Sequence, residues 1–370
     1  MNLAEDPTNT VVWGGFALAF VFGAVANKTN FCTMGAVSDV VNLGHWGRMR
    51  MWLLSIAVAV IGANLLHYSG QVDLLKTVYQ RPTLSWLSLL VGGGLFGVGM
   101  TLAAGCVNKN LVRLGGGSVR SLVVLVFVAI SAHMTLKGLF GQWRASWLDP
   151  VALDLSAIGL TDQSLPSLLA RLSGLPAHTA VLVTALPLGA ALLAFVFVDK
   201  RFRNNPVQVL GSIALGLLIV AAWYLSGHLG YGESPETLET VYFGTNSRTL
   251  ESLSFVAPTA YSLELLMLWT DKSLHISFGI ATVIGVVAGS FAYAVASGKF
   301  LWEGFASLND LRNQLVGAVL MGFGGVTAMG CTVGQGMSGL STLAIGSFIA
   351  VAGIVAGAAA TMKFMIWREG

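Results

Sequence analysis

The chain has 370 residues, of which 55% are hydrophobic and only 10% charged, and its net charge of +3 is spread without a basic block. A soluble domain carries roughly a quarter charged residues, so this composition excludes a soluble globular protein and marks an integral membrane protein. The thin positive charge gives nucleic acid nothing to bind, and three cysteines without a CxxC offer no disulfide framework.

Apolar runs of about twenty residues, long enough to cross a hydrocarbon core of ~30 Å, recur along the whole chain. The sequence predicts an all-α integral membrane protein with about nine spans, near 11–27, 51–68, 86–105, 119–136, 177–198, 207–226, 274–297, 314–330 and 341–362. Glu5 and Asp6 precede the first run where a signal peptide would carry basic residues, so this span is expected to be retained. No soluble domain is expected beside the spans. An odd number of spans puts the termini on opposite sides. With the N-terminus outside, Lys28, Arg48, Arg50, Lys109, Arg113, Arg120, Lys200, Arg201, Arg203, Lys299, Arg312, Lys363 and Arg368 fall inside, the orientation that the positive-inside rule favours.

Two segments are too short to cross. Residues 31–43 (FCTMGAVSDVVNL) and 255–267 mix apolar residues with Ser, Thr or an acid and read as half-helices or re-entrant loops. Such backbone is tolerated at membrane depth only inside protein or beside a watery cavity. The glycine-rich tails after Cys106 (LGGGS, 114–118) and after Cys331 (Gly334, Gly336, Gly339) predict two more breaks of this kind. The long connections 137–176 and 227–253 hold Trp143, Trp147, Glu233, Glu236 and Glu239; they receive no chemical role.

The segment around Cys106 occurs twice. Placing Leu90-Val91-Gly92 on Leu315-Val316-Gly317 also superposes Leu95 on Leu320, Gly97 on Gly322, Gly99 on Gly324, Ala103 on Ala328, Gly105 on Gly330 and Cys106 on Cys331. Further out, Asn30-Phe31-Cys32 falls on Ser254-Phe255-Val256, Ala36 on Ala260, Ser38 on Ser262 and Arg48 on Lys272. Spans 1–4 (residues 1–136) thus map onto spans 6–9 (residues 207–370), with residues 137–206 and span 5 as connector. Because an odd number of spans separates the copies, they are expected to be inverted relative to one another. Transporters are commonly built this way, with the substrate site at the repeat interface near the midplane. Duplication kept for packing alone, or a membrane enzyme, are the competing readings.

No GxxxxGK[ST] is present, the six histidines are scattered, and no nucleophile elbow occurs, so neither ATP hydrolysis, a metal, a cofactor nor hydrolytic catalysis is expected. The cysteines remain: Cys32, Cys106 and Cys331 occupy three of four equivalent positions, Val256 being the fourth. A buried thiol often simply packs. If these line a path, their neutral S–H groups are weak, polarizable donors suited to a soft, sulfur-bearing anion, aided by the N-termini of nearby half-helices. The polar neighbours at the same breaks are Asn30, Thr33, Asn108, Lys109, Asn110, Thr332 and Gln335. Lys109 and Arg113 either gather an anion at the inner mouth or only set orientation. A thiol oxidoreductase or sulfurtransferase stays open as an alternative, with Cys106, three residues before Lys109, as its candidate nucleophile.

Four stretches carry a family resemblance: NFCTMGAVSDV near the start, AGC at 104–106, SLSFVAP at 252–258 and MGCTVGQGMSGLS at 329–341. Together they resemble the YeeE/YedE sulfur-transport family over essentially the whole chain. The resemblance implies an inverted-repeat helical fold with re-entrant helices, uptake of thiosulfate across the bacterial inner membrane, and Cys32, Cys106 and Cys331 passing the anion along by S–H to sulfur hydrogen bonds. It also implies a cytoplasmic TusA-like sulfur carrier as a possible partner. Some members are associated with selenium compounds or other sulfur species, and this chain departs from the family pattern after Cys106, where it reads VNKNLVRLGGGS.

Overall fold

The computed structural model describes residues 7–233, 239–305 and 307–369; Glu5, Asp6 and Glu236, named above, lie outside them. In chain order the helices are α1 Pro7–Thr29, α2 Thr33–Leu43, α3 Gly47–Tyr68, α4 Trp86–Leu102, α5 Val107–Gly115, α6 Val119–Lys137, α7 Leu139–Trp143, α8 Leu165–Ser173, α9 Ala177–Phe197, α10 Lys200–Arg203, α11 Pro206–Tyr224, α12 Val256–Met267, α13 Phe278–Ala296, α14 Leu308–Thr327 and α15 Ile345–Glu369. A π-helical segment, Gly334–Gly339, lies between Cys331 and α15. Among the described residues, eight helical stretches have the length and apolarity to cross a bilayer. The span expected near 314–330 belongs to α14, which is twenty residues long but carries Asn309, Asp310, Arg312 and Asn313 in its first turns, so composition does not mark it.

The helix starts are set by short polar side chains. Ser118, Ser164, Asn205, Ser277 and Ser307 each accept a backbone N–H of the first turn, and Pro166 and Pro206 follow two of them where a missing amide is harmless. The short helix α2 instead takes the Cys32 sulfur as its cap, and it ends at Gly44 in the left-handed region.

The loops gather at two ends of the bundle. At one, the strands β1 (Thr83–Leu84) and β2 (Leu153–Asp154) pair antiparallel, as do β3 (Tyr231–Glu233) and β4 (Thr240–Tyr242), and Thr77 bridges Leu250 while Ser164 bridges Ala344. We call this the hairpin end. Nothing in the hydropathy pattern announced these strands, which are only two or three residues long. The opposite end is tied by Ser118 bridging Glu303, by Arg120 paired with Glu303 at 2.9 Å, and by Arg50 paired with Asp199.

Four short helical pieces start inside the bundle. α2 and α5 lead from Cys32 and Cys106 toward the opposite end, whereas α12 and the Gly334–Gly339 segment lead toward the hairpin end, where Lys137 pairs with Glu264 of α12 at 2.5 Å. The half-helices expected at 31–43 and 255–267 are therefore α2 and α12. Glycine makes the long crossings close: on α4 and α14, a Cβ at Gly99 would lie 2.6 Å from the Gly317 carbonyl oxygen, and one at Gly324 would lie 2.5 Å from that of Gly92. In lipid, where apolar side chains gain nothing by leaving the solvent, such backbone approach is a main source of helix association.

Candidate functional site

All three cysteines are built on the same local turn. Asn30, Ala104 and Met329 adopt left-handed backbone, with φ of 52°, 53° and 57°, and each stands two residues before a cysteine. That conformation costs a non-glycine residue roughly 1–2 kcal/mol. It breaks the long helix and places the cysteine immediately before the next helical segment. At the fourth equivalent position, Phe255 and Val256, neither the thiol nor the left-handed residue is present.

The turn fixes what each sulfur can do. Cys32 Sγ accepts the Gly35 amide at 3.3 Å and Cys331 Sγ accepts the Gly334 amide at 3.4 Å. An accepted bond leaves the S–H free to donate elsewhere and polarises it in that sense. Cys106 takes the corresponding place before α5 without a cap bond of its own. The three thiols are 7%, 1% and 0% exposed, so bulk water does not compete for them. Cys106 lies within electrostatic range of both Cys32 and Cys331, and Cys331 is bordered by the amides of Val333, Gly334 and Phe255.

The polar residues expected at these breaks divide by role. Asn110 Nδ2 donates to the Gly105 and Cys106 carbonyls at 3.0 and 3.1 Å, and Gln335 Nε2 donates to the Ala328 carbonyl at 2.5 Å. These two coincide when the sequence around Cys106 is placed on that around Cys331, and each ties down its turn. Lys109 Nζ donates to Asn30 Oδ1 at 2.5 Å, joining the Cys106 turn to the Cys32 turn. Thr33 is buried at the start of α2. Among the described residues, Asn108 Oδ1, Thr332 Oγ1 and Gln335 Oε1 are buried without a nitrogen or oxygen partner, and the Thr332 hydroxyl faces the Cys106 thiol. Buried polar atoms are rarely left unpaired in a native fold, and these three lie close to the thiols.

A cavity of about 620 Å³ opens at the hairpin end above Cys331. Met329, Gly330, Thr327 and Ser254 line its inner part, and Tyr79, Arg81, Arg144, Ser247 and Glu251 come from the loops. Burial holds the Tyr79 phenol well above its ordinary range, so it remains a hydroxyl donor. Burial likewise raises the Glu251 carboxyl, although the Ser247 hydroxyl and amide oppose the shift. Arg144 is paired with Asp149 at 3.1 Å, whereas Arg81 has no carboxylate partner among the described residues. Sequence reading did not pick out these residues. Ser254 and Gly330 had a signal, as the counterparts of Asn30 and Gly105 in the sequence superposition.

The sequence profile described as Sulphur transport matches residues 28–360. The thiosulfate transporter TsuA of Escherichia coli (strain K12) is 26% identical over 345 residues, covering 89% of this chain and 87% of its own. The thiosulfate transporter TsuA of Spirochaeta thermophila is 24% identical over 363 residues, covering 97% of this chain and 100% of its own.

Proposed function

The chain belongs to the Sulphur transport family, and from that premise we propose that it takes up thiosulfate, or a closely related sulfur anion, as a multi-pass permease of the bacterial inner membrane. The anion undergoes no covalent change. It enters the cavity at the hairpin end, which on the positive-inside argument faces outward, and is handed from Cys331 to Cys106 to Cys32 toward the opposite end. The names of the two TsuA relatives support the choice of anion.

The observation that carries this reading is the repeated turn: three buried thiols, each two residues after a left-handed residue, with Cys106 in electrostatic range of the other two. A neutral S–H donates weakly, and conduction needs sites that bind strongly enough to admit the ion and weakly enough to release it. Among the described residues, the side-chain oxygens of Asn108 and Gln335 have no partner to give up when a guest or its water arrives, and the Thr332 hydroxyl has only the Cys106 thiol. The inverted-repeat reading, with residues 1–136 and 207–370 as its halves, rests on the α4–α14 crossing. There Gly99 against Gly317 and Gly324 against Gly92 are exchanged by the same superposition that places Cys106 on Cys331. A soluble TusA-like sulfur carrier fits as an acceptor at the inner face.

Thiosulfate-dependent growth and uptake of labelled thiosulfate, in cells lacking other uptake routes, test the proposal. Cys106→Ala and Cys331→Ala are each expected to abolish most uptake at unchanged membrane abundance. Full uptake by both variants would remove the relay.

A further inference from the structure

On the side of Cys106 away from the cavity, α5 carries Lys109 and Arg113 one helical turn apart. Both lie over Gly105: a Cβ there would meet Lys109 Cγ at 3.2 Å and Arg113 Nη1 at 3.5 Å. Their partners are neutral. Lys109 Nζ bonds the Asn30 side-chain oxygen at 2.5 Å and Arg113 Nη1 bonds the Ala104 carbonyl at 2.8 Å. Neither takes part in an ion pair among the described residues.

The next cation within range of Lys109 is Arg48, and it is already neutralised by a two-point contact with Asp39, both bonds at 2.5 Å. Two like charges four residues apart on one short helix repel unless something shares them. Each of their present partners is itself part of a cysteine turn, because Asn30 and Ala104 are the left-handed residues before Cys32 and Cys106. The pair therefore stands beside two of the three thiols, half-buried, with a charge of two and no counter-charge.

We propose that Lys109 and Arg113 form an inner site for a divalent anion and that the Lys109–Asn30 bond is its closed form. An arriving dianion draws Nζ away from a neutral amide oxygen and so unties the Cys32 turn from the Cys106 turn. The thiols then select for a terminal sulfur and the two cations select for charge two. This rests on the sulfur-anion permease reading.

Thiosulfate and thiocyanate separate the two criteria, since both present a terminal sulfur and only the first is a dianion. The test uses the full chain in liposomes, labelled thiosulfate influx, and thiocyanate and sulfate as competitors. Lys109→Gln keeps a donor for Asn30 and removes only the charge. It is expected to lower the preference for thiosulfate over thiocyanate by about tenfold, the size of one charge-assisted contact. Lys109→Arg is expected to keep the wild-type preference. Asn30→Ala, which unties the turns without touching the charge, is expected to keep the preference and raise the influx rate. An unchanged preference in Lys109→Gln, or an Asn30→Ala variant that loses it, overturns the inner site while leaving the permease standing. Should Lys109→Gln not assemble, Arg113→Gln is read in the same assay for the same loss of preference. Wild-type liposomes that take up no thiosulfate beyond empty ones overturn the permease reading itself, and the inner site with it.

Discussion

Gly99 and Gly317 touch through their backbones: a Cβ on either residue would lie 2.6 Å from the carbonyl oxygen of the other. The contact fixes how close α4 and α14 approach, and both helices end at the turns before Cys106 and Cys331. Gly99→Val or Gly317→Val must push the helices apart, at a cost of about 1–3 kcal/mol for overpacking and more if the turns shift. Thermal unfolding in detergent should show both variants lowered. Gly94→Ala is the control, since nothing lies within 4 Å of a Cβ at Gly94, and it should be neutral or slightly stabilising.

The left-handed turn at Ala104 makes a prediction of opposite sign. Glycine adopts φ near 53° without the steric penalty, so Ala104→Gly should stabilise the fold by up to about 1 kcal/mol. Ala104→Val should destabilise it by more than that, because a branched Cβ suits this region least. If both substitutions shift the unfolding temperature in the same direction, strain at this turn is not what they report.

Thr332 separates stability from transport. Among the described residues its buried hydroxyl has only the Cys106 thiol beside it, so Thr332→Val gives up no more than a weak contact to sulfur and should change stability by less than about 1 kcal/mol. Thiosulfate uptake should nevertheless fall severalfold, because the hydroxyl facing Cys106 is lost. A variant that is both more stable and fully active would place Thr332 outside the path.

Arg81 lines the cavity without a carboxylate partner among the described residues, and it should act before binding. Arg81→Gln is expected to raise the KM for thiosulfate by about threefold to tenfold at low ionic strength with little change in maximal rate. The difference should shrink as salt shortens the Debye length below about 8 Å. A salt-independent defect would point to a structural role.

Glu251 in the same cavity gives the uptake a pH dependence. Its carboxyl is held above the ordinary range by burial, against the opposing Ser247 bonds, so it takes up a proton at a higher pH than a free carboxylate. As pH falls through that value the cavity loses a negative charge beside Tyr79, Tyr261 and Arg81, and anion capture improves. The sign for folding is the same. A folded-state value above the unfolded one disfavours the charged form, so this group's contribution to stability also rises as pH falls. Initial uptake by the wild type should increase as the pH is lowered, starting above the range of a free carboxylate, and Glu251→Gln should flatten the profile at its acid-side level.

Fold class and the thiol positions were legible because their signals are local: span-length apolar runs, a repeated glycine-cysteine segment, and two segments too short to cross. Asn30 was half legible as a turn residue, since Asn tolerates left-handed backbone. Ala104 and Met329 were not, because alanine and methionine have no preference for that region and only the surrounding fold imposes it. The cavity at the hairpin end was invisible for another reason. Arg81, Arg144, Ser247 and Glu251 come from three different loops, and their meeting depends on tertiary contacts such as the Thr77–Leu250 bridge rather than on any spacing along the chain. Asn110, expected among the path-lining residues, also ties down the turn through its amide nitrogen, a bond that spacing does not reveal and hydrogen-bond geometry does.

The empty fourth position makes the proposed ladder of donors unequal at its two faces: one thiol below the cavity, two above Lys109, and Val256 where a fourth would stand. Such lopsidedness sets how fast an ion steps on and off at each face, but the same rungs are climbed in reverse, so by microscopic reversibility it leaves the equilibrium distribution untouched. A fixed row of donors cannot by itself accumulate its passenger. Net flow through it follows the gradient of free anion, and is sustained by whatever consumes the anion where it emerges.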